Sequence, residues 1–248
     1  MEAAFRFYAQ LNDFLPPRRR QRSCRHVFEL PASVKDMIES LGVPHTEIDL
    51  ILANGEPVDF AYRVQDGDRI AVYPPFRTLD LGPLARVRPD PPDGEPRFVL
   101  DAHLGRLASY LRMLGFDALY RNDYADPELA RIASEEDRVL LTRDRGLLKR
   151  SVVVHGYCLR ATNPRAQLVE VLRRFDLAGR VAPFRRCIRC NGLLEAVDKA
   201  AIADRLPPRT ATYYDEFHQC RACEQVYWKG AHTTWMEQFI ASVLAEVG

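Results

Sequence analysis

Residues 97–115 read RFVLDAHLGRLASYLRMLG. A short apolar run, Phe98-Val99-Leu100, stops at Asp101, and Leu104, Leu107, Leu111 and Leu114 then recur on one helical face until Gly115 closes it. A strand, a carboxylate and a helix therefore follow one another. The pattern repeats downstream: 118–120 is a short strand, Asp126-Pro127 reads as an N-cap followed by proline at N1, and Leu129, Ile132 and Ala133 continue a helix. A strand over 138–142 leads to Asp144, 152–159 forms another, and Asn163-Pro164 opens a helix carrying Leu168, Val171 and Leu172. Strands alternating with helices predict an α/β fold with a mainly parallel sheet.

In such sheets ligands collect at the carboxyl ends of the strands, where the pattern puts Asp101 and Asp144. Two carboxylates there repel unless a divalent cation lies between them. A hard, oxygen-liganded ion such as Mg²⁺ or Mn²⁺ would hold a scissile phosphate and lower the pKa of the attacking water. Asp126 and Glu128, at a helix start, are the candidates to complete the cluster, with Asp123 behind them. Capping explains Asp126 equally well, and a first-turn acid that complements the helix dipole explains Glu128. Acids at strand ends also serve as turn residues.

Upstream, GPLARVRPDPPDGEPR (82–97) has five prolines and two glycines and cannot hold a regular helix or an inner strand. Before it, Phe5 and Phe7 alternate with polar neighbours, an arginine-rich turn follows Pro16-Pro17, and His26, Phe28 and Leu30 alternate again, which predicts a hairpin. Ser33 and Asp36 form a capping box for a helix with Val34, Met37, Ile38 and Leu41 on one face, stopped by Gly42 and Pro44. A strand over 48–53 ends in the turn dipeptide Asn54-Gly55, and Asp66-Gly67-Asp68 introduces a last strand over 69–73. Downstream, Cys187-Ile188-Arg189-Cys190 and Cys220-Arg221-Ala222-Cys223 have the spacing of two knuckles around a tetrahedral Zn²⁺, with Gly192 as permissive backbone just past the first. Four thiolates leave no open position for chemistry, so the zinc is expected to be structural; a redox pair is the alternative. Cys24 and Cys158 are packing residues.

The predicted modules are 1–80, a linker at 81–96, a core at 97–182, and a zinc ribbon with a C-terminal helix at 183–248. Net charge is +1, but residues 145–190 hold eleven basic and two acidic residues, which suggests a polyanion-facing side. Arg143, Arg145, Lys149, Arg185 and Arg186, with Trp228 and Lys229, are the candidates for contact with such a polyanion, arginines for phosphates and, were it a nucleic acid, aromatics for bases. No apolar run approaches the ~18–20 residues of a membrane span, and MEAAFRF carries Glu2 where a signal peptide would be basic, so a cytoplasmic protein without a membrane partner is expected.

These residues carry two resemblances. The first segment, with LANGEPV and VQDGDRIAVYPP, resembles ubiquitin-like β-grasp domains of the sulfur-carrier type. Those carriers act through a free C-terminal Gly-Gly, whereas here Phe76-Arg77-Thr78 follow and the chain continues, so docking a protein partner or orienting RNA is the expected role. LDAHLGRLASYLRMLGFD, DPELARIA and RVLLTRDRGLLKR resemble the Mut-seven C-terminal RNase family, a branch of the PIN-like nucleases, through the zinc segment to about residue 235. The resemblance implies a metal-dependent ribonuclease with its acids at Asp101, Asp144 and the Asp126/Glu128 segment. PIN nucleases usually show a fourth carboxylate after that strand, where this chain has Arg145-Gly146-Leu147-Leu148. A catalytically silent RNA-binding adaptor and, behind it, a sulfur-transfer scaffold are the rival readings. Because the first module offers no candidate ligand, it is expected to be dispensable for cleavage.

Overall fold

The computed structural model describes residues 1–75, 86–89 and 94–248. Most of the expected linker, 81–85 and 90–93, lies outside the described residues, as do Phe76, Arg77 and Thr78. The chain divides into two compact units, Met1–Pro92 with Ala130–Glu136 and Thr142–Cys158, and Asp93–Leu129 with Asp137–Leu141 and Leu159–Gly248.

In the first unit, β1 (Glu2–Phe7), β2 (Cys24–Val27), α1 (Val34–Ser40), β3 (Leu50–Ala53), β4 (Glu56–Pro57) and β5 (Arg69–Tyr73) build a β-grasp sheet of order β2-β1-β5-β3-β4. The hairpin β1-β2 is antiparallel, and β1 runs parallel to β5. Alternation sorts the two faces: Ala3, Phe5, Phe7, Ile70 and Val72 are buried with Val34 and Ile38 of α1, while Arg6 and Arg69 point to the open face. Ser33 caps α1, its Oγ accepting from the Asp36 N–H at 3.1 Å and donating to Asp36 Oδ2 at 2.6 Å; among the described residues the reciprocal backbone bond of the expected capping box is absent. Asn54 and Gly55 both take positive φ, 54° and 99°, the geometry of a type I′ hairpin turn. Asp68, nearly buried, accepts from Asn54 Nδ2, Tyr62 Oη and Gln65 N at 2.7–2.9 Å, which fixes the approach to β5.

The same unit includes 142–158, with α4 (Arg145–Leu148) and β9 (Gly156–Cys158). The strand expected over 152–159 is confined to β9. Residues before it turn, Val153 N–H donating to Arg150 O at 3.0 Å, so Val153 is buried while Val152 and Val154 face solvent. The apolar run suggested a longer strand than its backbone bonding forms.

Further elements are β6 (Phe98–Leu100), α2 (Gly105–Met113), β7 (Ala118–Leu119), α3 (Asp126–Glu135), β8 (Val139–Thr142) and α5 (Pro164–Arg174). In the second unit β6 lies between β7 and β8 and runs parallel to both. Phe98, Val99, Leu100, Leu140 and Leu141 are buried, as inner parallel strands require. Gly115 ends α2 at φ 96°, and a Cβ there would meet Ala182 O at 2.2 Å, so both conformation and space demand glycine. Asn163 Oδ1 caps α5, accepting from Arg165 N–H and Ala166 N–H. At α3 the expected cap moves by one residue: Leu129 N–H bonds Ala125 O, which makes Ala125 the cap, Asp126 N1 and Pro127 N2.

The remainder of the second unit is β10 (Leu194–Val197), α6 (Pro208–Tyr213), β11 (Phe217–Cys220), β12 (Val226–Trp228) and α7 (Ala231–Val247). The three strands form an antiparallel sheet, and Ile202, Leu206, Phe217 and Val226 make its small core. The C-terminal helix α7 lies along α5, and Phe239 meets Tyr110 of α2 at 4.7 Å between ring centres.

Candidate metal centre and acidic strand ends

Each C-x-x-C turn is built the same way. Asn191 N–H returns to Cys187 O and Glu224 N–H to Cys220 O at 2.9 and 3.0 Å, and these two donors take φ of 73° and 58°. The left-handed position of the first turn thus falls on Asn191 and not on Gly192. Glycine at 192 is required by space, because a Cβ would lie 2.8 Å from Cys220 Sγ and 3.0 Å from Ala222 Cβ.

The turns bring Cys187 Sγ to 3.6 Å from Cys223 Sγ and Cys190 Sγ to 3.4 Å from Cys220 Sγ, and all four sulfurs lie within 4.8 Å of one another. Four thiolates at ~2.3 Å from a tetrahedral Zn²⁺ stand roughly 3.8 Å apart, so the quartet fits the ion. Its electrostatics agree. Burial and the neighbouring thiols push Cys190 up to about 12. Burial also works against the Cys220 thiolate, but the backbone N–H groups of Cys223 and Ala222 bring it down to about 7. Crowded sulfurs of this kind ionise together only around a cation. Tyr227 Oη lies 3.1 Å from Cys187 Sγ, and its own phenol is pushed up by burial and then by that sulfur.

The first knuckle is fastened to the α/β elements by residues that spacing alone does not reveal. Buried Arg112 of α2 donates from Nε to Ala118 O at 2.8 Å and from NH1 to Ile188 O and Arg189 O at 3.2 and 3.0 Å. Asn191 donates to Asp117 Oδ1 at 2.8 Å and accepts from Ala118 N–H at 3.0 Å. Asp117 also pairs with Arg138 at 2.7 Å and Arg186 at 3.2 Å. Burial opposes the Asp117 carboxylate, yet Arg138, Asn191 and Arg186 hold its pKa below the ordinary carboxylate range.

Asp101 directly follows β6, donating its N–H to Leu141 O of β8 at 3.1 Å, with an extended backbone that starts a short 3₁₀ turn. Asp144 lies two residues beyond β8 and caps α4, Oδ1 accepting from Gly146 N–H at 2.7 Å; this fold-level role was not apparent from sequence. Asp126 and Glu128 stand in the first turn of α3. Arg121 forms a two-toothed pair with Asp123 at 2.9 Å and lies 3.7 Å from Glu128. Among the described residues, the cysteine quartet is the group of three or more Cys, His, Asp or Glu that comes within 4.8 Å.

The candidates for RNA contact divide. Arg143 is exposed, but Arg145 sits over the Phe14 ring at 5.0 Å and donates to Phe14 O at 3.0 Å, while Lys149 Nζ reaches Glu39 O at 2.5 Å. The β-grasp domain thus engages this segment directly. Arg185 pairs with Glu95 at 2.6 Å, and Arg186 is largely buried against Asp117. Trp228 packs on the small β10–β12 core, and Lys229 makes an exposed pair with Glu216 at 3.5 Å.

A ubiquitin-like β-grasp sheet, a mixed α/β region with a parallel sheet and a four-cysteine cluster together define the class of this protein as mixed α/β with a candidate metal centre. Residues 96–240 match the model of the Mut7-C RNAse domain, and residues 1–80 match that of the Mut7-C ubiquitin domain. The chain belongs to the Mut7-C RNAse domain family. Among solved structures, the crystal structure of SAMP1 from Haloferax volcanii is similar at 21% identity, TM-score 0.25, over 31% of this chain and 97% of that one. A crystal structure of H. volcanii small archaeal modifier protein 1 matches at the same identity and TM-score, over 30% and 98%. No curated protein matches. Among the described residues no helix is long and apolar enough to cross a membrane.

Proposed function

We propose that the protein is a metal-dependent ribonuclease whose working carboxylates are Asp101 and Asp144. The observation that carries this reading is their placement after β6 and β8, parallel neighbours within a chain of the Mut7-C RNAse domain family. Carboxylates there are hard donors suited to Mg²⁺ or Mn²⁺, and Asp144, which accepts Gly146 N–H at Oδ1, keeps lone pairs with which it would hold such an ion. When bound, such an ion activates water and stabilises charge at phosphorus. The chain's own residues hold and orient: Asp101 through the β6–β8 ladder, Asp144 through its cap, and Arg143 as an exposed contact for the phosphodiester backbone. Asp126 and Glu128 are proposed as outer members of the acidic group.

Zinc in the cysteine quartet serves structure, since four thiolates fill its coordination. RNA is the substrate of this reading and cytoplasm its compartment.

The test is cleavage of a labelled RNA by purified protein with Mg²⁺ or Mn²⁺. Asp101→Asn is expected to lower the rate by at least about a hundredfold while RNA binding persists. Equal activity in that variant, or no dependence on added cation, overturns the reading in favour of an RNA-binding adaptor.

A further inference from the structure

On the open face of the β-grasp sheet, a groove of about 310 Å³ is lined by residues of β1, β3 and β5, by Tyr8 and Ser23 and by the Asn54-Gly55 turn. The strand register explains its shape. Ala4 lies beside Arg69, Arg6 beside Ala71 and Leu52 beside Ala71, so two long cationic side chains stand diagonally over a floor of Ala4, Ala71 and Leu52. Both arginines are exposed, and the lining includes no acid. Tyr8 walls one end, its ring stacked on Tyr73 at 4.2 Å and 11°, with the Arg6 guanidinium 5.4 Å from its centre.

A second feature is the arginine-rich chain that leads into Ser23. Ser23 directly follows Arg18, Arg19, Arg20 and Arg22, and this turn is pinned rather than loose. Buried Asn12 donates to Phe7 O and Ala9 O at the end of β1 and accepts from Gln21 N–H at 2.6 Å, while Arg20 Nε bonds Leu15 O. Neither groove nor turn takes part in cleavage as described above.

From this geometry we infer that the open face of the β-grasp sheet binds a single-stranded segment of RNA, a deepening that rests on the ribonuclease reading. Phosphates lie on Arg6 and Arg69, and a base stacks on the outer, exposed side of the Arg6 guanidinium, extending the Tyr73–Tyr8–Arg6 column. The combination favours RNA over an acidic peptide. A peptide chain gains little from a guanidinium plane backed by two stacked tyrosines, whereas every base offers a π-face to it and every linkage a charge to the arginines.

The test measures binding of a fluorescent twelve-nucleotide single-stranded RNA to the full chain, without added divalent cation, across a salt series. The Arg6→Ala/Arg69→Ala double variant is expected to bind about tenfold more weakly, with the log–log salt slope reduced by about 1.4, two single-strand phosphate contacts at ~0.7 each. Arg6→Lys/Arg69→Lys should recover most of that slope. Tyr8→Leu should weaken binding at least about fivefold with the slope unchanged, and ultraviolet crosslinking should attach RNA to the peptides of Tyr8 or Tyr73. Wild-type affinity and slope in the alanine double variant overturn the inference. So does arginine-dependent capture of a polyglutamate peptide where RNA is not bound, which would mark an acidic protein partner. The two readings fail separately: RNA cleaved by a chain indifferent to Arg6, Arg69 and Tyr8 removes the groove alone. RNA held in the groove but never cut with Mg²⁺ or Mn²⁺ removes the nuclease alone.

Discussion

Asp117 serves as a junction: one carboxylate satisfies Arg138, Arg186 and the knuckle residue Asn191 at once. Because it is largely buried, Asn in its place leaves two guanidinium groups without their anion, at a cost of about 3 kcal/mol. The pH dependence follows from the lowered pKa of the folded state. A carboxylate held below its unfolded value of ~3.9 contributes stability that is complete above that value and lost as pH falls through the lower folded pKa. Urea unfolding of wild type and Asp117→Asn at a series of pH values should therefore show a gap that is constant near neutrality and closes in acid. A gap independent of pH would mean that packing, not charge, holds the junction. Arg186 changes meaning with it: its place against Asp117 gives it a folding role, so Arg186→Ala is no clean test of RNA contact.

At the scale of elements, β10, β11 and β12 enclose a core of four buried residues, too few to order these strands against chain entropy without a metal. One zinc per chain is expected by metal analysis. Cys190→Ser should lose it, with hydrogen-exchange protection collapsing in β10–β12 while β1 and β5 keep theirs. Full protection in the zinc-free variant would show the small core to be sufficient. The elements legible from sequence share a local cause. The N-cap at Ser33, the turn at Asn54-Gly55, the helix faces of Leu107 and Leu168 and the C-x-x-C knuckles are each set by residues within a few positions. What escaped has partners far along the chain or shifts by a residue. Arg112 reaches Ile188, the Asn191 side chain reaches Asp117, and the 152–159 run turns at Val153 instead of extending. Asp101 and Asp144 were placed after their strands by alternation alone, but the cap that Asp144 provides to α4 required the structure, because nothing in Arg145-Gly146-Leu147-Leu148 signals so short a helix.

At the scale of the molecule, the sequence suggests a β-grasp domain tethered by a proline-rich linker and dispensable for cleavage. The first compact unit changes that expectation, since it joins the domain to 142–158, the segment that carries Asp144. Buried Glu47 accepts from Cys158 N–H at 2.6 Å, His45 spans Glu39 Oε1 at 2.6 Å and Val153 O at 2.9 Å, and Lys149 and Arg145 end on the backbone carbonyls of Glu39 and Phe14. Part of the following chain is drawn back as well, with Arg88 NH1 on Thr46 O at 2.7 Å and Val87 N–H on Asp49 O at 2.9 Å. These bonds fix the backbone that presents Asp144, and if Asp144 works as proposed, its displacement costs rate steeply. A chain starting near Glu95 should therefore show faster hydrogen exchange over 144–158 and cleave a generic RNA at least about tenfold more slowly. Glu47→Ala is the finer probe. It removes one acceptor from the buried Cys158 N–H at a cost of about 1–3 kcal/mol, and Glu47→Gln, which keeps an acceptor oxygen, should recover most of the loss. A folded chain lacking residues 1–80 that cuts at the wild-type rate would restore the tethered arrangement and leave the β-grasp contacts as packing alone.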